Sequence, residues 1–119
     1  MLRESSQSNS ALNIQATVDP GEDSGVEEGE LMIAFAEAAV QRRDDLPALR
    51  GEIASRLSTQ AAVDAAGVVA NFQRMVRIAD GCGIPLDEFT ERASDDWRGQ
   101  LGIHEYASAA NSPSAVLAD

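Results

Sequence analysis

The stretch TQAAVDAAGVVANFQRMVRIADG, residues 59–81, decides the fold, because its apolar residues recur at steps of three and four. These residues form two adjacent rows on a helix: Ala61, Ala65, Val68, Phe72, Met75 and Ala79, and beside them Ala62, Ala66, Val69 and Val76. Two adjacent rows predict a long helix with two packed faces, buried on most sides, whose alanines let neighbouring helices approach closely. The segment Gly81-Cys82-Gly83 followed by Ile84-Pro85 predicts its end, because glycine accepts the left-handed conformation and proline blocks continuation.

The same periodicity predicts three shorter helices, two before the long helix and one after it. The first runs from about Val26 to Arg43, the second covers about Pro47–Leu57 with Pro47 at its first position, and the last covers about Leu86–Gln100. Asp23 or Ser24 is the expected cap of the first helix, and Ser58 or Thr59 that of the long one. The sequence therefore predicts an all-α fold, a small bundle of about four helices with a long central helix, in a domain over residues 26–108.

Both ends of the chain lack helical or strand periodicity. Residues 1–25 are rich in Ser, Asn, Gln, Asp and Gly, and residues 1–30 carry seven acidic residues against Arg3 alone. This composition predicts a disordered acidic tail over 1–25 and a flexible C-terminal tail over 109–119. The acidic tail is interpreted as solvating, and the alternative is an arm that docks on a basic partner.

Charge and composition exclude several classes of function. With 20 acidic residues against 9 arginines the net charge is −11, which repels nucleic acid and anionic lipid, so neither is an expected partner. No apolar run reaches the length of a membrane span, and no N-terminal segment resembles a secretory signal. The single Cys agrees with a reducing compartment, so we predict a cytoplasmic protein. With one Cys and one His, no metal or other cofactor is expected.

The long helix carries a row of polar residues that is the strongest candidate for a binding site. Its members, at steps of three, are Asn71, Arg74, Arg77 and Asp80. Such a row can bind a carboxylate or phosphate in a crevice. The alternative, which we favour, is an ion pair of Arg77 with Asp80 or an arginine that holds a glutamate of a neighbouring subunit.

Cys82 and His104 are interpreted as non-catalytic. Cys82 lies at the predicted C-terminus of the long helix, where the negative end of the helix dipole disfavours a reactive thiolate. His104 and Glu105 are adjacent in sequence, and neighbours at i and i+1 on a helix point apart. We therefore expect no catalytic residue in this chain.

Three segments carry a resemblance to a known family: LMIAFA at 31–36, Leu49-Arg50, and VDAAGVVANFQRMVRIADGCGIPLDE at 63–88. Over about residues 30–88 they resemble the C-terminal half of the alkylhydroperoxidase D-like proteins of the carboxymuconolactone decarboxylase superfamily. That family also keeps an arginine at the position of Arg77, outside its thiol site. The C-terminal segment, Leu101-Gly102-Ile103 followed by ASAAN at 107–111, is similar to the ends of short bacterial proteins.

The resemblance implies ancestry and assembly but no reaction. Peroxidase members of that family use a C-x-x-C pair with a Glu upstream and a His downstream, and this chain has no C-x-x-C. Family members are helical oligomers that bury the long helix between subunits, which implies a homo-oligomer here. The expected function is a non-catalytic helical domain for self-association or for binding a protein partner. The alternative is an enzyme or a protein that binds a small anionic molecule through Arg74, Arg77 and Asp80 without thiol chemistry.

Overall fold

The computed structural model describes residues 12–112, and within them the protein is all-α. Its four α-helices are α1 (Gly29–Gln41), α2 (Leu46–Arg56), α3 (Thr59–Cys82) and α4 (Glu88–Arg98). Three short 3-10 helices accompany them: Ile14–Thr17, Ile103–Glu105 and Ala107–Asn111. No strand occurs in this range, so the predicted all-α fold with four helices and a long third helix is confirmed.

The chain divides into two compact units at Gln73 and Arg74, inside α3. The described part of the first unit is 12–73 and that of the second is 74–112. This division falls within the single domain predicted over 26–108. Trp97 and Tyr106, the one tryptophan and the one tyrosine of the chain, both belong to the second unit.

Local capping residues set both ends of α3, as the sequence predicts. At the start, the Ala61 amide donates to Ser58 Oγ at 2.9 Å. At the end, Gly83 adopts a left-handed conformation with φ of 64°. The Ile84 amide donates to Ala79 O at 3.0 Å and the Gly83 amide to Asp80 O at 3.2 Å, which is the bond pattern of a Schellman motif. The helix therefore stops one residue beyond the predicted Gly81.

The core of the first unit forms where α1, α2 and the start of α3 meet. Leu31 and Phe35 of α1 pack with Ile53 of α2 and Ala62 of α3, and Ile53 is fully buried. Partly buried apolar residues surround this cluster: Met32, Leu46, Leu49, Ala61, Ala65 and Val69. The apolar rows read from the sequence thus supply the core, at the N-terminal end of α3.

α1 is shorter than the sequence predicts, because a non-glycine residue in the left-handed conformation bounds it at each end. Glu28 and Arg42 both have φ of 56°. α1 therefore begins at Gly29 instead of Val26 and ends at Gln41 instead of Arg43, with Arg42 just beyond its last residue. Neither Asp23 nor Ser24 is its cap, because Glu28 holds that position without a side-chain bond.

An ion pair joins Glu28 to α2. Arg56 of α2 contacts Glu28 at 2.6 Å and Glu52 at 2.8 Å. The hydrogen bond that Arg56 donates to Glu52 and the negative charge of Glu28 raise the pKa of the Arg56 guanidinium. α2 itself begins at Leu46, so Pro47 occupies its second position instead of the predicted first. Proline is accepted anywhere in the first turn of a helix.

Residues 12–25, within the predicted disordered tail, have defined local structure. Asn13 caps the 3-10 helix Ile14–Thr17 by accepting from the Gln15 amide at 3.0 Å, and Ala16 is buried. The Asn13 amide donates to Ser24 O at 3.0 Å. Side-chain caps of this kind give a segment local structure without a periodic sequence pattern. The boundary at residue 25 stays a prediction. Residues 1–11 lie outside the described range.

The second unit closes through a contact distant in sequence. The Leu86 amide, between α3 and α4, donates to Ser112 Oγ at 2.7 Å. Asp87 then caps α4 by accepting from the Thr90 amide at 2.9 Å, and the two bonds from Thr90 lower the pKa of the Asp87 carboxyl. Of the C-terminal tail predicted over 109–119, residues 109–111 belong to the 3-10 helix Ala107–Asn111, and residues 113–119 lie outside the described range.

Candidate functional site

The structure places all four predicted site residues on the exposed surface of α3. Asn71 belongs to the first unit, and Arg74, Arg77 and Asp80 belong to the second. Within residues 12–112, no ion pair joins Arg77 to Asp80. Of the three residues in the second unit, only Asp80 lines a groove. A role for this row in binding an anion stays a prediction.

α3 exposes much of the apolar surface that the sequence predicts to be buried. Of its residues, Ala62 alone is buried in the described chain, so the expectation of a helix buried on most sides is wrong for a single chain. The physical reason is length: α3 has 24 residues, against 13 in α1 and 11 in α2. At about 1.5 Å of rise per residue, neither partner helix is long enough to cover it.

The uncovered part of the apolar rows is named here the α3 face and consists of Val68, Phe72, Met75 and Val76. Val68 is 57% exposed and Phe72 is 54% exposed. Val68, Phe72 and Met75 follow one another at steps of four and three, and Val76 lies four positions after Phe72, so all four share one side of the helix. The α3 face continues the row that packs into the core through Ala61 and Ala65. It is therefore a core-like surface that the described chain leaves open to solvent.

A second candidate surface is a groove of about 1250 Å³ that lies wholly within the second unit. Its walls come from the end of α3, the connection to α4, one side of α4, and residues 103–112. The α4 wall is mostly charged, whereas Ile84, Leu86, Ile103 and Tyr106 contribute apolar side chains. The groove thus places carboxylates beside exposed apolar surface.

Arg98 is the most unusual polar residue of this groove, because it is only 8% exposed. Its Nη2 donates to Glu91 O at 3.2 Å and to Asp95 Oδ1 at 3.3 Å. Its Nε is buried and has no acceptor among the described residues. A buried donor without an acceptor is unfavourable. The Arg98 Nε–H can therefore donate one further hydrogen bond. From the sequence, Arg98 is only an arginine near the end of a helix, so its burial could not be predicted.

Cys82 and His104 are both exposed, and nothing in residues 12–112 joins them into a reactive group. Cys82 is the last residue of α3, and His104 lines the groove. Among the described residues, no three His, Cys, Asp or Glu side chains converge as metal ligands. In the same part of the chain, no helix is both long enough and apolar enough to cross a membrane.

Comparison with known proteins leaves the ancestry of the chain open. No protein-family model matches it, and neither a curated protein nor a solved structure is significantly similar to it. The resemblance to alkylhydroperoxidase D-like proteins therefore stays a prediction based on the residues quoted above.

Proposed function

We propose that this chain is a non-catalytic helical domain that associates with a second copy of itself through the α3 face. The observation that carries the proposal is the exposure of this face, where Phe72 is 54% exposed on a row that packs against the core at Ala65, two turns earlier. Contiguous exposed apolar surface of this kind marks protein interfaces in soluble proteins. Met75 and Phe72, as a flexible thioether and an aromatic ring, are residue types enriched at such interfaces.

The distribution of charge favours α3 as the contact between two copies. The chain has a net charge of −11, so two copies repel each other over most of their surfaces. α3 contains two aspartates, Asp64 and Asp80, and two arginines, Arg74 and Arg77, and is therefore neutral overall. Two chains meet along α3 with less repulsion than along the acidic parts of the molecule.

The small size of the core gives association a further role. A single buried cluster of four side chains forms the core of the first unit, and only Ile53 is fully buried in it. A core of this size supplies about 3–5 kcal/mol of folding free energy at most. Burying the α3 face against a second chain therefore adds a substantial part of the stability of the folded chain.

The proposal includes an ancestry and a location. The resemblance of residues 30–88 to half of an alkylhydroperoxidase D-like protein supports self-association, because that family buries its long helix between subunits. The absence of a C-x-x-C pair supports a non-catalytic role. The lone Cys supports the cytoplasm as its location, since a reducing compartment keeps such a thiol free.

The test is the solution mass, measured by light scattering over a wide range of protein concentration. The wild-type chain is expected to give at least a dimer, and Phe72→Glu a monomer with unchanged helicity. Val63→Glu is the matched control, because Val63 is 60% exposed on the same helix. It lies nine residues from Phe72, which is two and a half turns and therefore the opposite side. A monomeric wild type, or equal dissociation of the control, overturns the proposal.

A further inference from the structure

We propose that the groove of the second unit binds a basic amphipathic peptide segment of a partner protein. The proposal does not depend on self-association, because none of the residues of the α3 face lines the groove. Charge, apolar surface, size and one unsatisfied hydrogen-bond donor support it in turn.

The groove has an excess of carboxylates that its own arginines do not neutralise. Arg92 and Arg98 both line it, but Arg92 contacts Glu88 at 2.9 Å and Arg98 contacts Asp95 at 3.3 Å. Within the described residues, no cation pairs with the remaining two carboxylates, Asp80 and Glu91. A ligand that brings two or more positive charges complements this wall, whereas a phosphate is repelled by it.

Apolar side chains lie exposed beside these carboxylates. Tyr106 is 65% exposed and Ile84 is 55% exposed. A ligand therefore gains by covering them with apolar side chains of its own, and a peptide with both Lys and Leu supplies both kinds of contact. A metal ion supplies only the charge.

The size of the groove favours a polypeptide over a small molecule. Its volume of about 1250 Å³ exceeds the range of about 300–1,000 Å³ that is usual for small-molecule pockets. Its walls also come from α4 and from residues 103–112, so a bound segment contacts two elements at once.

Arg98 adds a requirement that a peptide backbone satisfies. Its buried Nε has no acceptor in the described chain, and its bond to Asp95 is long, at 3.3 Å. A ligand carbonyl that reaches this guanidinium adds an acceptor for a donor that the described chain leaves unpaired. Every residue of a bound peptide offers a carbonyl oxygen for this bond.

The test uses a fluorescein-labelled peptide of Lys and Leu at helical spacing, and its counterpart with Glu in place of every Lys, in fluorescence anisotropy titrations. The Lys peptide is expected to bind, more weakly as salt rises, and the Glu peptide not to bind. Glu91→Gln is expected to weaken binding about two- to fivefold. Tyr106→Ala is expected to weaken it about tenfold.

Glu105→Gln is the matched control, because it removes the same charge from the same unit at a residue that does not line the groove. Its affinity for the Lys peptide is expected to equal that of the wild type. Phe72→Glu, the variant that tests the α3 face, is also expected to bind the Lys peptide with wild-type affinity. If Glu105→Gln weakens binding as much as Glu91→Gln, general charge attraction explains the result and the groove is not the site. Absence of binding, or equal binding of the Glu peptide, also overturns the proposal.

Discussion

Replacing three helical glycines by alanine is expected to change stability in opposite directions. Gly51 and Gly67 lie inside α2 and α3, and a Cβ atom added to either meets no atom within 4 Å. Alanine at such a position is expected to raise the free energy of unfolding by about 0.5–1 kcal/mol, because glycine loses more backbone entropy on folding.

Gly29 differs because it is buried against the preceding turn. A Cβ atom there would lie 2.0 Å from Ser24 Oγ, 3.2 Å from Ser24 Cβ and 3.3 Å from Val26 Cβ. Ser24 cannot simply rotate away, because its hydroxyl accepts a bond from the Val26 amide at 3.2 Å. Gly29→Ala is therefore expected to lower the free energy of unfolding by about 1–3 kcal/mol, as overpacking usually does.

The assay is urea unfolding followed by far-UV circular dichroism on each single variant. The double variant Ser24→Gly with Gly29→Ala removes two of the three close contacts and is expected to recover part of the loss, relative to Ser24→Gly alone. If Gly67→Ala destabilises as much as Gly29→Ala, or if the double variant recovers nothing, the packing described around Gly29 is refuted.

Three further predictions concern the core and the ends of helices. Ile53→Ala is expected to lower the free energy of unfolding by about 2–5 kcal/mol and Ile53→Val by about 0.5–1.5, because Ile53 is fully buried; equal small losses in urea unfolding would contradict this. Arg42→Gly is expected to raise the melting temperature, because the left-handed conformation costs about 1 kcal/mol for a residue with a Cβ atom and little for glycine. An unchanged or lower melting temperature would argue against strain at φ of 56°. The pKa of the Asp87 carboxyl is lowered in the folded chain, so the charged carboxylate stabilises the fold fully above about pH 4, and this stabilisation is lost as the pH falls through the folded-state pKa. Asp87→Asn keeps the cap without the titrating group, so its helicity is expected to change less with pH over this range. An equal loss of helicity in wild type and variant on acidification would contradict the role of the Asp87 carboxylate.

Sequence reasoning located α3 within one residue because its stop and start signals are local. Ser58 and Gly83 act on the backbone within one turn of themselves, so their residue types are sufficient. The start of α1 was missed by three residues for the opposite reason. Glu27, Glu28 and Glu30 are typical of an acidic first turn, yet Glu28 adopts the left-handed conformation just before the helix, and its side chain pairs with Arg56, which is distant in sequence.

The candidate surfaces could be predicted only in part. The apolar rows of α3 identify which side chains share a face, but not that α1 and α2 are too short to cover Phe72. The groove has no local signature, because its closing bond joins residues 26 positions apart, Leu86 and Ser112. The unpaired Nε of Arg98 could not be predicted either, because the burial of a single atom has no sequence pattern.

The position of Trp97 and Tyr106 gives the chain a built-in optical reporter. Both lie in the second unit, whereas residues 1–73 contain neither a tryptophan nor a tyrosine. Tryptophan and tyrosine emission therefore follows the second unit alone, while the amide signal follows all four helices. A difference between these two signals during unfolding separates the melting of one unit from that of the other without any label.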